Sequence, residues 1–62
     1  MPIVQIHLIE GRTLEQKRKL VAEVTRAVVQ SVDAPPEAVK VILSEMSRDN
    51  YANAGVLVID KK

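Results

Sequence analysis

The sequence predicts an α+β fold, in which a strand, one long helix and a second, parallel strand form a β-α-β unit. Three observations predict it: apolar side chains alternate over residues 3–9, an apolar stripe recurs at helical spacing over residues 14–32, and alternation returns over residues 38–46. A strand–helix–strand crossover within one sheet is right-handed and makes the two strands parallel. The 62 residues form one small domain, 1–62.

The first strand is predicted from Ile3 to Ile9. Thr13 and Gln16 have the spacing of a capping box and predict that the helix begins there. The helix runs to about Val32, because the segment Asp33-Ala34-Pro35-Pro36 pushes the chain out of helical geometry before its prolines. The apolar stripe of this helix consists of Leu14, Leu20, Val21, Val24, Ala27, Val28 and Val32.

The second strand is predicted roughly from Ala38 to Met46, and Glu45 near its end is expected to be solvated. The tail from Tyr51 to Lys62 contains GVLVI, which is long enough for a short strand or a hairpin arm. One helix covers only one face of the sheet, whereas parallel sheets are normally covered on both faces. The uncovered face is apolar enough for an interface, so we expect an oligomer. That face carries Ile3, Ile9, Ile42 and Met46.

Composition excludes several classes of function. Nine Lys and Arg against eight Asp and Glu are too balanced for nucleic acid or a membrane surface, and Tyr51 is the only aromatic side chain for base stacking. Without cysteine the chain has no disulfide or thiolate zinc site, and His7 alone cannot build a metal site. No apolar run approaches the roughly 20 residues of a membrane helix, and no signal peptide is recognisable. We expect a cytoplasmic protein that is stabilised by oligomerisation.

Pro2, Arg12 and Lys40 are the candidate chemical groups, and each also has an ordinary structural explanation. Proline is tolerated at the first residue of a strand, but removal of Met1 would turn Pro2 into a free secondary amine. Arg12 precedes a helix N-terminus, either as a solvated loop residue or as part of a carboxylate site. Lys40 is either an edge-strand lysine that opposes aggregation or a second cation of the site. His7 is expected to be a half-buried strand residue.

The predicted geometry separates these groups. A strand rises about 3.3 Å per residue, so Pro2 and Arg12 of one chain lie more than about 20 Å apart if the strand is straight. Parallel strands begin at the same end of a sheet, which places Lys40 near Pro2. If Pro2 and Arg12 act on one small substrate, Arg12 has to come from a neighbouring chain. The expected oligomer would then also assemble the site.

Taken together, the sequence resembles the 4-oxalocrotonate tautomerase family over nearly its whole length. The resemblance rests on Pro2 after the initiator methionine, QIHLIEGR leading to Arg12, EQK opening the helix, DAP closing it, VKVILSEM as the second strand, and NYANAG after it. The order and spacing of these segments make the resemblance specific. It implies the tautomerase fold, a β-α-β subunit with a C-terminal β-hairpin, assembled from dimers into a homohexamer.

The resemblance also implies a cofactor-free isomerase that moves a proton between the enol oxygen and a carbon of a 2-hydroxydienoate or 2-keto acid, in the degradation of aromatic compounds. Pro2 would be the general base, Arg12 would bind a substrate carboxylate, and Tyr51 would line the pocket. Desolvation and the positive charges of Arg12 and Lys40 would both lower the pKa of the Pro2 amine, as a base working at neutral pH requires. Neither a metal nor an organic cofactor is needed.

One position and one loop depart from the best-known members of the family. Lys40 stands where they have a second arginine; lysine keeps the charge at this catalytic and substrate-binding position but lacks the planar fork for bidentate contact. Their glycine-rich loop is Ala52-Asn53-Ala54-Gly55 here. A hydrolytic dehalogenase of haloacrylates, an activity of relatives, is the alternative enzyme, but it needs a carboxylate to activate water where this chain has Asn53. The other alternative is a non-catalytic assembly module in which Pro2 merely starts a strand.

Overall fold

A computed structural model describes residues 1–61 of the chain, and its elements follow the predicted order. The strands and the helix are β1 (Ile3–Ile9), α1 (Leu14–Val32), β2 (Lys40–Met46), β3 (Ala52–Asn53) and β4 (Val56–Leu57). Short 3-10 turns lie at Pro36–Ala38, Arg48–Asn50 and Val58–Asp60. The predicted β-α-β unit is confirmed, and the tail forms a small antiparallel hairpin of β3 and β4.

β1 and β2 pair in parallel along their whole length, from Ile3 opposite Lys40 to Ile9 opposite Met46. Backbone hydrogen bonds extend the pairing at both ends of the sheet. The N–H of Lys40 donates to the carbonyl of Pro2 at 3.0 Å, and the N–H of Glu10 donates to the carbonyl of Met46 at 2.8 Å. Pro2 and Lys40 therefore lie at one end of the sheet, and the loop after β1 lies at the other.

Both predicted boundaries of α1 are confirmed, and local hydrogen bonds explain them. The N–H of Gln16 donates to Thr13 Oγ1 at 3.1 Å, and the N–H of Thr13 donates to Gln16 Oε1 at 2.8 Å. This capping box satisfies two donors that the first turn leaves free. At the other end Asp33 adopts a left-handed conformation with φ 59°, and its N–H donates to the carbonyl of Val29 at 3.1 Å.

The predicted start of the second strand at Ala38 is wrong by two residues. The N–H groups of Ala38 and Val39 donate to the carbonyls of Pro35 and Pro36, at 3.0 and 3.1 Å. Those bonds form a 3-10 turn, which the fixed φ of the two prolines favours. The backbone donors of this segment are therefore used locally, and pairing with β1 begins only at Lys40.

The predicted apolar stripe of α1 is only partly covered by the sheet. Leu20, Val21, Val24 and Val28 are half-buried, whereas Leu14 and Val32 are each 61% exposed and Ala27 is exposed. The 19 residues of α1 extend over about 28 Å, while the seven residues of each central strand extend over about 23 Å. Because the helix is longer than the sheet beneath it, its two terminal apolar side chains overhang.

The described subunit has almost no core of its own. Val39, at 9% exposure, is the only hydrophobic side chain classed as buried among residues 1–61. The accessible surface is 4851 Å², against about 4000 Å² for a compact protein of this mass. The radius of gyration is 14.6 Å, against about 11 Å for a compact chain of this length. Oligomerisation is one of the ways in which small domains with so little core gain stability.

The face of the sheet that α1 does not cover is apolar and open, as predicted. Ile3 and Ile42 on this face are 61% and 49% exposed, while Ile9 and Met46 are half-buried. The tail adds further apolar surface, since Ile59 is 55% exposed. None of the helices in the described part of the chain is long and apolar enough to cross a membrane.

Candidate active site

Pro2 occupies the position immediately before β1, and its half-buried ring is held there by the backbone. Its carbonyl accepts the hydrogen bond from the N–H of Lys40, which fixes it against the first residue of β2. Met1 is 81% exposed. While Met1 is attached, the Pro2 nitrogen is an amide without basicity; removal of Met1 makes it a secondary amine at the head of the strand.

Lys40 is the first residue of β2 and lies beside Pro2, as the sequence predicts. Its side chain is exposed, and its Nζ donates to the carbonyl of Glu37 at 3.2 Å. An ammonium group carries three N–H donors. One is used by this carbonyl, so two remain to contact an oxygen of a small anion at this end of the sheet.

Arg12 lies in the loop between β1 and α1, at the opposite end of the sheet from Pro2. Gly11 allows the chain to turn there with a φ of 124°, which few other residues adopt. Within residues 1–61 the guanidinium of Arg12 makes no hydrogen bond or ion pair that would occupy its donors. It lines a cavity of about 300 Å³ together with Leu8, Gln16, Lys17 and Leu20. A free guanidinium in such a position suits a carboxylate, which it binds with two parallel hydrogen bonds.

Tyr51 lies at the same end of the sheet as Arg12 but on the uncovered face. It lines a second cavity, of about 380 Å³, with His7, Ile9 and Met46. Its carbonyl accepts a hydrogen bond from the N–H of Val58 at 2.9 Å, so the residue also anchors the hairpin. His7 is exposed on this face and not half-buried as expected, because no element of the subunit packs over it.

The candidate residues therefore form two separate groups in one subunit. Pro2 and Lys40 lie at the start of the parallel strands, whereas Arg12 and Tyr51 lie beyond their carboxyl ends. The length of β1 puts about 23 Å between the two groups. A single chain cannot place all four residues around one small molecule, so a site that uses them all requires two subunits.

One charged pair was not expected from the sequence. Glu45 is not simply solvated: its Oε1 accepts a hydrogen bond from Lys17 Nζ at 2.9 Å. The two side chains face each other because Glu45 shares a strand face with Val41 and Leu43, which α1 covers, and Lys17 lies on the sheet side of α1. Strand alternation and helical spacing place both side chains between helix and sheet, but they do not give the packing register that brings Lys17 to Glu45.

Among the described residues, no group of three or more His, Asp or Glu side chains has the arrangement of a metal site. The chemistry of the candidate residues at the two ends of the sheet is that of the Pro2 amine after Met1 removal, the Lys40 ammonium group and the Arg12 guanidinium group. Such groups bind small anions and transfer protons.

The fold defines the class of protein: a small β-α-β subunit with a C-terminal hairpin and, among its described residues, a single buried hydrophobic side chain. The family model described as "Tautomerase enzyme" matches residues 2–61. A protein of Halalkalibacterium halodurans named "Probable tautomerase" is 48% identical over 61 residues, which cover 98% of this chain and 100% of that protein. A 2-hydroxymuconate tautomerase of Pseudomonas putida is 47% identical over 57 residues, which cover 92% of this chain and 90% of that protein.

Solved structures give the same result. The crystal structure of YwhB, a homologue of 4-oxalocrotonate tautomerase, is 44% identical with a TM-score of 0.95, over 98% of this chain and 100% of that chain. A heterohexamer 4-oxalocrotonate tautomerase from Chloroflexus aurantiacus is 26% identical with a TM-score of 0.95, over 100% of both chains. The chain belongs to the tautomerase family, with the fold of the 4-oxalocrotonate tautomerases, and it is an isomerase.

Proposed function

We propose that this chain is a cofactor-free tautomerase that interconverts the enol and keto forms of a 2-hydroxydienoate or 2-keto acid resembling 2-hydroxymuconate, with Pro2 as general base. The observation that carries the proposal is the placement of Pro2 at the head of β1, held by its carbonyl against Lys40 at 3.0 Å. The relative from Pseudomonas putida, which is named for 2-hydroxymuconate, supports the substrate class.

In the proposed reaction the unprotonated Pro2 amine accepts the proton of the 2-hydroxyl group. The electron pair of that O–H bond forms the carbonyl, the conjugated double bonds shift, and a carbon of the chain takes a proton from the Pro2 ammonium. Atoms and charge balance without a co-reactant. A general base works best when its pKa is near the working pH. Positive charges brought close to the Pro2 amine disfavour its protonated form and so lower its pKa.

Arg12 and Lys40 supply those charges in different ways. The free guanidinium of Arg12 suits a substrate carboxylate, because two parallel N–H donors match its two oxygens. Lys40 acts as a point charge towards the 2-oxygen, where negative charge develops during proton transfer. Tyr51 provides an aromatic wall that reduces the polarity of the pocket.

The proposed site lies between subunits, with Pro2 and Lys40 from one and Arg12 from another. β1 places about 23 Å between Pro2 and Arg12, and the described subunit has almost no core of its own. Both observations support this arrangement. The heterohexamer from Chloroflexus aurantiacus supports a hexamer as the assembly, here of identical chains. A cytoplasmic location and a role in the degradation of aromatic compounds remain predictions of the sequence.

The decisive experiment follows enol-to-keto conversion by ultraviolet absorbance, over a panel of mono- and dicarboxylic enol acids. Intact mass first verifies that Met1 is absent. The matched control is the same chain with Met1 retained, in which the Pro2 nitrogen is an amide. We expect turnover only with the Met1-free protein, and faster turnover of acids that Arg12 can bind. A flat response of the Met1-free protein over the whole panel would contradict the proposal and favour the non-catalytic assembly module.

A further inference from the structure

The ion pair between Lys17 and Glu45 joins the start of α1 to the end of β2. Lys17 Nζ and Glu45 Oε1 are 2.9 Å apart, and the two side chains are only 27% and 35% exposed. The other ion pairs within residues 1–61 link neighbours on one turn of α1, Glu15 with Arg18 and Glu23 with Arg26, and all four side chains are more than half exposed. In the described chain, Lys17–Glu45 is thus the one ion pair that crosses between the helix and the sheet.

This pair is one of two tethers on the loop that carries Arg12. The first tether is the hydrogen bond from the N–H of Glu10 to the carbonyl of Met46, at 2.8 Å. The second is the Lys17–Glu45 pair, on the other side of Arg12 in the chain. Glu45 and Met46 are adjacent residues of β2, so both ends of the loop are attached to the same point of the sheet. Gly11 between the tethers adds no side chain of its own to restrain the loop.

The pair also sets the charge around Arg12. Lys17 lines the same cavity of about 300 Å³ as Arg12. Glu45 neutralises the charge of Lys17, whereas Arg12 has no anionic partner within residues 1–61, so Arg12 remains the cation of this cavity whose charge is not compensated. A carboxylate that enters the cavity is thereby directed to Arg12 and not to the neighbouring ammonium group.

We propose that Lys17 and Glu45 are positioning residues that hold the Arg12 loop in register with the end of β2, so that Arg12 meets the substrate carboxylate. The proposal rests on the proposed function, since it concerns the carboxylate-binding role of Arg12. Neither Lys17 nor Glu45 touches substrate. Both act through the placement of the guanidinium, where a displacement of about 1 Å can cost up to about a hundredfold in efficiency.

Two single variants separate positioning from a purely electrostatic role. Glu45→Gln leaves an extra unpaired cation beside Arg12, whereas Lys17→Met leaves an unpaired carboxylate. If charge alone mattered, the KM of an anionic substrate would fall in the first variant and rise in the second. If position matters, both variants loosen the loop. We expect KM to rise on the order of tenfold in each, with little change in kcat.

The experiment measures KM and kcat of Met1-free protein together with hydrogen exchange of the amides of residues 10–13. We expect faster loop exchange in both single variants, and recovery of exchange and of KM in the charge-swapped Lys17→Glu/Glu45→Lys double variant. Glu23→Gln, which breaks an ion pair within α1 only, is the matched control and should match the wild type. Size-exclusion chromatography verifies assembly. If Glu45→Gln fails to assemble, Glu45→Asp replaces it; this variant keeps the charge and shortens the reach to Lys17, so a raised KM supports the positioning role and an unchanged KM contradicts it.

Opposite KM shifts in the two single variants, or unchanged loop exchange in both, would overturn the proposal. If the wild type turns over no acid of the panel, the proposed function fails by itself. Loop exchange then still decides whether the pair is a tether: accelerated exchange in the single variants that the charge swap restores supports it, and unchanged exchange refutes it.

Discussion

Pro2 has its proposed role because of one covalent bond and one hydrogen bond. The bond to Met1 decides whether its nitrogen is an amide or an amine, and the hydrogen bond from Lys40 fixes where that nitrogen lies. Removal of Met1 gives a free amine to Pro2 alone, because Pro2 then becomes the N-terminal residue. The chemistry of this position is therefore tested by changes to the amine itself.

For Pro2→Ala we expect kcat to fall by about 10²–10⁴-fold, the usual contribution of a positioned general base. Some activity should remain, because alanine leaves a primary amine at the same place after Met1 removal. Steady-state kinetics on the preferred enol acid measures the effect. Lys19→Ala, at an exposed position of α1, is the control. An unchanged kcat would remove Pro2 from the mechanism.

Arg12→Ala should chiefly raise KM for a carboxylate substrate, because the lost donors bind the ground state and the transition state alike. A loss of kcat adds to this if the contact tightens in the transition state. The comparison substrate is the corresponding monoester, which lacks the bound carboxylate and should be affected much less. Arg26→Ala, on the exposed side of α1, controls for the loss of a positive charge. Equal losses on acid and ester would argue against a carboxylate role.

At the level of elements, short-range signals account for the boundaries of α1. Local hydrogen bonds that compete with strand pairing account for the wrongly predicted start of β2 and for the short strand in the tail. The capping box at Thr13 lies within four residues of sequence, so its outcome does not depend on tertiary contacts. The 3-10 turn at Pro36–Ala38 uses donors that would otherwise extend β2. The segment GVLVI shows the same competition: only Val56 and Leu57 pair with β3, and the following residues form a 3-10 turn.

The β3–β4 hairpin contains a strained residue that a substitution should relieve. Its two-residue turn has positive φ at both Ala54, 54°, and Gly55, 80°, as in a type I′ turn. A left-handed conformation costs a residue with a Cβ roughly 1–2 kcal/mol. Ala54→Gly should therefore raise the free energy of unfolding by about 1 kcal/mol, and the melting temperature by several degrees.

Thermal unfolding at one fixed subunit concentration measures this change, since the stability of an oligomer depends on concentration. The control is Ala52→Gly, at a strand position paired with Leu57, where glycine should destabilise by roughly 0.5–1 kcal/mol. A shift of the same sign in both variants would show that the conformation of Ala54 is not the cause.

At the scale of the whole molecule, the shape of the subunit and the separation of its candidate site residues both favour association with other subunits. The isolated subunit has extents of 42 × 24 × 14 Å and a single buried hydrophobic side chain among the described residues. The two candidate cations, Lys40 and Arg12, lie at opposite ends of the sheet. Association can cover the open face and, in the same step, bring the Arg12 end of one subunit to the Pro2 end of another.

Complementation between two inactive variants tests this shared arrangement. Pro2→Ala and Arg12→Ala chains are mixed in equal amounts, unfolded and refolded together. Random assembly should make about a quarter of the sites intact, each with Pro2 from one chain and Arg12 from its neighbour. Activity should recover towards that fraction, whereas each variant refolded alone remains nearly inactive. Mass spectrometry of the native oligomer verifies that subunits have mixed; a mixed oligomer without recovered activity would refute the shared site.

The amino-acid sequence by itself determined the order of elements, the limits of α1 and the identity of the candidate groups. Periodicity, capping residues and prolines act over a few neighbours, so their structural result can be derived from neighbours alone. Pro2, Arg12 and Lys40 could be singled out because their chemistry is a property of the residue type, and the parallel crossover predicted which end of the sheet each occupies.

Tertiary structure alone decided the features that join distant parts of the chain. The pairing of Lys17 with Glu45 depends on which turn of α1 packs over which residue of β2, 28 positions away. The exposure of Leu14 and Val32 depends on how far α1 and the sheet overlap in length, and the exposure of His7 depends on the lack of a described element over its face of the sheet. Such contacts come from the packing of whole elements, whose relative placement is not encoded in any short segment, and for this reason only the folded chain shows them.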